Sequence, residues 1–247
     1  MPKLSVITIN YNNSAGLERT IKSVISQSYN YYEYIIIDGG STDGSADVIK
    51  KYADTISYWV SEKDNGIYDA MNKGLDRATG DYVLFLNAGD EFYSSDTLTT
   101  IFSLESNADV YYGNTIIVNE KGEQLADRRL TPPEQLSWKS LKYGMCVSHQ
   151  SFIAKRTVCS PYNLDYSISA DIDWVIQVLK RSQKIINTKI YISKFLKGGI
   201  SNNRRKTALK ERFLIMVNHY GVAQTLWNHL FIAFRYPFDK VTRKSMI

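Results

Sequence analysis

Three aspartates fall where short β-rich runs give way to turns. Asp38 closes Tyr34-Ile35-Ile36-Ile37, Asp64 follows the run from Ile56 to Val60, and Asp90 follows Tyr82-Val83-Leu84-Phe85-Leu86. If the runs are parallel strands, those turns share one rim of a sheet, the edge at which such sheets bind ligands. Carboxylates crowded at one crevice repel each other unless a cation or a donor-rich ligand sits among them, and oxygen ligands favour Mg2+ or Mn2+. The plainer reading is that turns favour Asp, which explains any one of the three more easily than all of them. Neither G-x-G-x-x-G nor G-x-x-x-x-G-K-[ST] occurs. A diphosphate would therefore be neutralised by metal and basic side chains, which fits a sugar-nucleotide site better than a dinucleotide or P-loop site. His149 is one of three histidines, and no G-x-S-x-G elbow accompanies it to suggest a Ser-His-Asp hydrolase.

The elements that would position these residues are legible in the first ninety residues. Leu4 to Ile9 is a β-branched run ended by the turn formers Asn10-Tyr11-Asn12-Asn13, and Ser14 can cap a helix carrying Leu17, Ile21, Val24 and Ile25 on one stripe. Tyr34 to Ile37 is apolar without alternation, as in a strand covered on both faces. A helix through Val48-Ile49, a strand from Ile56 to Val60, a helix from Tyr68 to Ala78 and a strand from Tyr82 to Leu86 complete a β-α-β-α-β-α-β order. That order predicts an α/β fold with a mostly parallel sheet and helices on both faces. Beyond it, Val110 to Val118 reads as a strand or hairpin turning at Lys121-Gly122. Pro132-Pro133 opens a short helix near Glu134 to Leu141, Asp171 to Leu179 has helical spacing, and Ile185 to Phe195 alternates as a strand.

The 247 residues carry 44% apolar, 22% charged and 13% aromatic side chains, a globular composition that excludes disordered, collagen-like and coiled-coil descriptions of the whole. Two cysteines, Cys146 and Cys159, are too few for a disulfide framework and suggest a reducing compartment. The start shows no secretory leader, and no run of about 18 uninterrupted apolar residues offers a membrane span. The net charge of +5 hides an asymmetry: from Val175 onward, fifteen Lys or Arg face only Glu211 and Asp239, leaving the preceding body acidic. A basic tail on an acidic body points to an anionic partner, either a membrane surface or nucleic acid.

Four blocks in the first ninety residues resemble the family 2 glycosyltransferases of GT-A, Rossmann-like fold. They are Ser5-Val6-Ile7-Thr8-Ile9-Asn10-Tyr11-Asn12; Asp38-Gly39-Gly40-Ser41-Thr42-Asp43-Gly44-Ser45; Glu62 to Gly74, with Asp64-Asn65-Gly66-Ile67-Tyr68-Asp69-Ala70-Met71-Asn72-Lys73; and Ala78 to Asp90, ending Asn87-Ala88-Gly89-Asp90. Weaker matches follow at His149-Gln150-Ser151-Phe152, Ala170-Asp171-Ile172-Asp173-Trp174 and Gly198-Gly199-Ile200-Ser201. The resemblance is to the bacterial branch that builds capsule, O-antigen and exopolysaccharide repeat units. It implies a catalytic domain over residues 1–203, divided into a nucleotide-binding half (1–90) and an acceptor half (91–203), followed by a basic helical tail (204–247).

The resemblance also implies roles. Tyr11 and Asp38 would bind the donor's nucleobase and ribose, Asp64 would lie near the nucleoside, and Thr8, Lys73, Asn87, Ala88 and Gly89 would line the donor. Asp90 would be the surviving carboxylate of an Asp-x-Asp metal motif, holding Mn2+ or Mg2+ together with donor phosphate oxygens and water. Met71 replaces an arginine common in relatives, a gap that Lys73 or Arg77 would fill. An inverting transfer needs a base for the acceptor hydroxyl. Asp171 aligns with it, and Asp173 is the alternative two residues on, on another helical face. His149, Gln150, Gly199 and Ser201 would face the acceptor or the diphosphate, whereas His219 and His229 carry no signal. The acceptor implied is a saccharide on a polyprenyl diphosphate, reached from the cytoplasmic side of the membrane.

The tail supports that placement. A helical stretch runs from Arg204-Arg205-Lys206 through Val217, and a second from Val222 to Phe234 puts Leu226, Trp227, Leu230, Phe231 and Phe234 on one broad face before Arg235, Lys240, Arg243 and Lys244. Such a helix suits an anionic lipid interface; the rival cover for its apolar face is the catalytic domain or a second subunit. Two other functions compete: a transferase-like module that binds nucleotide sugars without catalysis, suggested by the incomplete metal motif, and a nucleic-acid binder using the basic tail, which is too apolar for an arm that tracks phosphates.

Overall fold

The computed structural model describes residues 1–104, 107–128, 130–197 and 204–232. Strands β1 (Leu4–Asn10), β2 (Tyr32–Asp38), β3 (Tyr58–Ser61) and β4 (Tyr82–Phe85) lie parallel in the order β3-β2-β1-β4. Helices α1 (Ser14–Ile25), α2 (Ser45–Lys51) and α3 (Ile67–Arg77) make the crossovers. The unalternating apolar sequence of β1 and β2 has the expected cause, since both faces are covered. Ile7, Ile9, Ile35 and Ile37 enter the core under α3, while Leu4, Val6, Tyr34 and Ile36 enter the core under α1.

The sheet continues through mixed pairings. Helix α4 (Thr97–Phe102) leads to β6 (Val110–Val118), which forms a hairpin with β7 (Gln124–Asp127). Strand β8 (Phe152–Lys155) runs antiparallel between β4 and β6, and β9 (Ile185–Leu196) lies parallel to β6. The two-residue β5 (Glu91–Phe92) closes the edge against β9. Helix α5 (Ala170–Arg181) packs onto the sheet through Trp174, which stacks on Tyr162 at 5.1 Å and meets Phe85 edge-on at 5.7 Å.

Helix α6 (Arg205–Tyr220) is packed against this body. Ile215 and Met216 enter the same core as Trp174, and Tyr220 stacks on Trp138 at 5.5 Å. A helical run from 222 to 232 follows and leaves Leu226, Trp227, Leu230 and Phe231 exposed. No described helix is long and apolar enough to cross a membrane.

Two local expectations need correction. The cap of α1 is Asn13, whose Oδ1 accepts from Gly16 N at 3.1 Å, with Ser14 the first helical residue. Either residue can cap a helix, but Asn13 also donates from Nδ2 to Ala88 O at 3.0 Å, and that tertiary bond fixes it in place. Pro132-Pro133 opens no helix; the short 3-10 helix there is Trp138–Tyr143, begun by Ser137 in a reciprocal capping box with Ser140.

Candidate functional site

The register of β1 on β2 sets Asn10 opposite Asp38 at the carboxyl rim. Asp38 is buried there, and its two oxygens accept from Asn10 Nδ2 (2.7 Å), Ser41 N (2.9 Å), Ser41 Oγ (2.6 Å) and Ser61 Oγ (2.6 Å). Burial pushes this carboxyl up, but the four donors outweigh it and hold Asp38 below the ordinary carboxylate range. The next residue, Gly39, sits where no side chain fits: a Cβ would lie 2.5 Å from Asp64 Oδ2 and 3.2 Å from the Tyr11 ring. Tyr11, two-thirds exposed, and Asp64 therefore close on the same bare stretch of backbone.

One strand further along the sheet, the turn after β4 delivers Asp90. Gly89 adopts φ +103 there, a conformation L side chains avoid. Its N–H donates to Thr20 Oγ1 at 2.9 Å, and that hydroxyl donates to Asp90 O at 2.7 Å. Asp90 is buried, with Oδ2 accepting from Gln150 Nε2 (2.7 Å) and Oδ1 from Leu196 N (3.1 Å). Burial prevails over those bonds and pushes its pKa up to about 6.

The third part comes from the chain after β6. His149 lies in a one-turn 3-10 helix (His149–Ser151) whose Ser151 hydroxyl is locked to Thr115 and Ser193, both at 2.7 Å. The ring spans two site residues: Nε2 is 3.2 Å from Asn87 Nδ2, and Nδ1 is 3.6 Å from Asp171 Oδ2. With Asn87 donating, Nε2 accepts and the ring proton sits on Nδ1, facing Asp171. Asp171 occupies the first turn of α5, where the helix dipole favours a carboxylate. Its Oδ1 accepts from Tyr68 OH at 3.3 Å. Burial pushes Asp171 up, but contact with His149 and the charge of Arg212 outweigh it and hold the carboxyl below its ordinary value.

The two carboxylates of Asp171-Ile172-Asp173 part company. Asp173 turns away from His149: Oδ1 meets His219 Nε2 of α6 at 2.6 Å and Oδ2 accepts from Gln177 Nε2 at 2.6 Å. Helix α6 holds the approach to α5 as well. Buried Glu211 accepts from Ser167 N, Ser167 Oγ, Ile168 N and Ser169 N, all at 2.8–2.9 Å.

The remaining sequence candidates are placed as follows. Ala88 and Gly89 form the Asp90 turn, and Gln150 holds Asp90. Thr8 has no accessible surface; its hydroxyl donates to Leu86 O at 2.7 Å beneath the rim. Lys73 reaches the rim but is paired with Glu62 (2.9 Å) and Asp69 (3.7 Å). Arg77 cannot stand in for the arginine replaced by Met71. It ends α3, which descends toward the start of β4, so its guanidinium lies at the opposite edge, 4.6 Å over the Tyr58 ring. Gly199 and Ser201 lie outside the described residues. Tyr68, Asn13, Glu211 and His219 escaped the sequence reading, although the aromatic ladder Tyr68–Tyr162–Trp174 ties α3 to α5. Cys146 and Cys159 are unpaired and burial raises both thiols, Cys159 to about 12, which keeps them protonated.

The hard oxygens in the turn after β4 that could hold a divalent metal are the Asp90 carboxylate, which also accepts from Gln150 and Leu196, and Asn87 Oδ1, which is buried without a partner. No group of three His, Cys, Asp or Glu able to hold a metal exists among the described residues. The set thus fits Mg2+ or Mn2+ with most positions filled by ligand and water, and the chain alone cannot close the coordination sphere.

Known proteins resemble this chain in sequence and in fold. The profile for Glycosyl transferase family 2 matches residues 5–160. A glycosyltransferase of Mycobacterium tuberculosis is 32% identical over 217 residues, covering 84% of this chain and 80% of its own. A PGL/p-HBAD biosynthesis glycosyltransferase of Mycobacterium bovis is 29% identical over 257 residues, covering 100% and 94%. Among solved structures, Staphylococcus aureus TarS 1-349 superposes with a TM-score of 0.67 at 16% identity, covering 95% of this chain and 72% of that one. The mannosyltransferase PcManGT of Pyrobaculum calidifontis, solved with GDP-Man and Mn2+, gives 0.67 at 18% identity, covering 97% and 73%. With that profile matched over residues 5–160 and the α/β layering shared with GT-A neighbours, the chain belongs to glycosyl transferase family 2.

Proposed function

We propose that this glycosyltransferase inverts the anomeric centre of a nucleoside-diphosphate sugar as it passes the sugar to a saccharide carried on a polyprenyl diphosphate, with Asp171 as the base. The observation that carries the reading is the chain of contacts Asp171–His149–Asn87, which ties the start of α5 to the turn bearing Asp90. Asp171 Oδ2 takes the acceptor hydroxyl's proton as that oxygen bonds to the anomeric carbon and the bond to the donor diphosphate breaks. His149 and Tyr68 hold the carboxylate in place, and His149 with Arg212 keeps it ionised. Tyr11, Gly39 and Asp64 form the wall for the nucleoside, Asp38 fixing the turn that carries it. Asp90 and Asn87 would hold Mn2+ or Mg2+, which stabilises charge on the departing diphosphate when bound. Asp173, committed to His219 and Gln177, positions α5. Support for the donor class comes from neighbours solved with UDP-GlcNAc and with GDP-Man.

The lipid-linked acceptor and a place at the cytoplasmic face of the membrane rest on the run 222–232, which exposes Leu226, Trp227, Leu230 and Phe231 behind the basic Arg204-Arg205-Lys206. The basic residues after 232 lie outside the described residues. The experiment is a panel of UDP-, GDP- and dTDP-sugars with Mn2+, read by thermal shift and nucleotide release. Asp171→Ala is expected to abolish transfer while leaving donor affinity within about twofold. Near-normal turnover in that variant removes Asp171 from the mechanism. Donor binding without release or transfer by the wild-type chain favours the inactive-module reading, which the short metal motif keeps in play.

A further inference from the structure

Arg128 is a half-buried cation that the mechanism above does not use. It follows β7 directly, and its Nη1 is shut off from solvent with no hydrogen-bond partner. The charges buried elsewhere in the described fold are answered: Glu33 by Lys3, Asp173 by His219, Glu211 by the backbone before α5. The adjacent Asp127 does not answer Arg128, because its Oδ1 accepts from Tyr191 OH at 3.1 Å and Gln124 Nε2 at 3.4 Å. Asp171 lies within electrostatic reach, yet forms no ion pair with Arg128; its contacts go to His149 and Tyr68. A second guanidinium, Arg212 on the exposed side of α6, acts on both Asp171 and Arg128. Arg128 also lines a cavity of about 80 Å³ with Asn114, Thr115, Asp127, Thr131, Ser148 and Tyr191, and Ser148 leads into His149. Burying a cation without a partner is costly, and such groups are normally paired or hold a ligand. A guanidinium fork suits phosphate above other anions.

Position says which phosphate. The nucleoside wall of Tyr11, Gly39 and Asp64 stands at the β1–β3 end of the sheet, whereas Arg128 follows β7, which pairs with β6 on the far side of β4. We infer that Arg128, assisted by Arg212, binds a phosphate group of the acceptor, so that the acceptor is a phosphate- or diphosphate-linked saccharide. This rests on the transferase reading above and adds to it the residues that select the acceptor.

The test is calorimetry on the full chain with farnesyl diphosphate as probe, with and without Mn2+ and a saturating nucleoside diphosphate chosen from UDP, GDP and dTDP. Farnesyl diphosphate is expected to bind whether or not the nucleotide is present. Arg128→Gln is expected to weaken it tenfold or more, Arg128→Lys to recover part of the loss, and nucleotide affinity to stay within twofold throughout. Farnesol, which lacks the phosphate, is expected to show no dependence on Arg128. The inference is overturned if Arg128→Gln leaves farnesyl diphosphate affinity unchanged. It is equally overturned if the nucleotide displaces the probe and Arg128→Gln weakens the nucleotide instead, since the anion is then the donor's. Should circular dichroism show that Arg128→Gln is unfolded, Arg212→Gln on the exposed face of α6 decides: a loss of about threefold supports the site and no loss overturns it. A chain that binds the probe through Arg128 but no nucleoside diphosphate overturns the transferase reading and leaves the phosphate site standing.

Discussion

His149 Nδ1 stands 3.6 Å from Asp171 Oδ2, with the ring's other nitrogen 3.2 Å from Asn87. The imidazole thus joins the residue proposed as base to the turn that carries Asp90, and it helps keep that base ionised. Replacing Asp171 by Asn is expected to lower kcat by about 10²–10⁴ with donor affinity little changed. Replacing His149 by Asn removes the interactions that hold the Asp171 carboxyl below its ordinary value. Its pKa then rises, and the acidic limb of the pH–rate profile moves to higher pH. An unmoved limb in that variant would disconnect His149 from the base.

Asp90 makes a contribution to the apoprotein's stability that falls with pH. Its folded pKa of about 6 lies above the ordinary 3.8, so between those values the folded state binds more protons than the unfolded chain. The Asp90 contribution is fully present below about 4 and is lost as pH rises through 6, by about 3 kcal/mol for a shift of two pH units. Asp90→Asn is expected to flatten the Tm–pH curve over this range and raise Tm at pH 7, while removing metal-dependent donor affinity. Identical Tm–pH curves for the two proteins would refute the account.

Glu211 accepts four bonds from residues 167–169. Glu211→Ala orphans those donors and is expected to cost about 2–4 kcal/mol in urea unfolding. Because the same residues lead into α5, kcat is expected to drop even where the protein remains folded. A variant with lowered stability and unchanged kcat would confine Glu211 to the fold.

Gly39→Ala places a methyl 2.5 Å from Asp64 Oδ2. Asp64 and Tyr11 must then move apart, and donor affinity is expected to weaken by about tenfold, roughly 1.4 kcal/mol, with Tm nearly unchanged. Calorimetry with the preferred nucleotide sugar reads this directly. Full affinity would exclude that wall from donor binding.

What the sequence revealed and what it withheld divide along physical lines. The strands bearing Asp38, Asp64 and Asp90 were legible because β-branched runs and turn residues are local signals, and parallel order then fixes the rim. The first turn of α5 was legible for the same reason, though only packing separates Asp171 from Asp173: one faces His149, the other His219. Helix α6 read as a basic tail because its answering groups, Asp173 and the backbone of 167–169, lie some forty residues upstream. Arg128 was invisible for the converse reason, since an arginine after a hairpin looks solvated until the fold closes over its Nη1.

The grip of Glu211 on the residues before α5 also bears on how this protein tolerates being cut or fused. Shortening the chain to end ahead of residue 205 would do more than remove a basic helical segment; it would free four polar groups at the threshold of α5. Grafting this C-terminal segment onto a cousin should therefore succeed only when the recipient carries the 167–169 corner along with it.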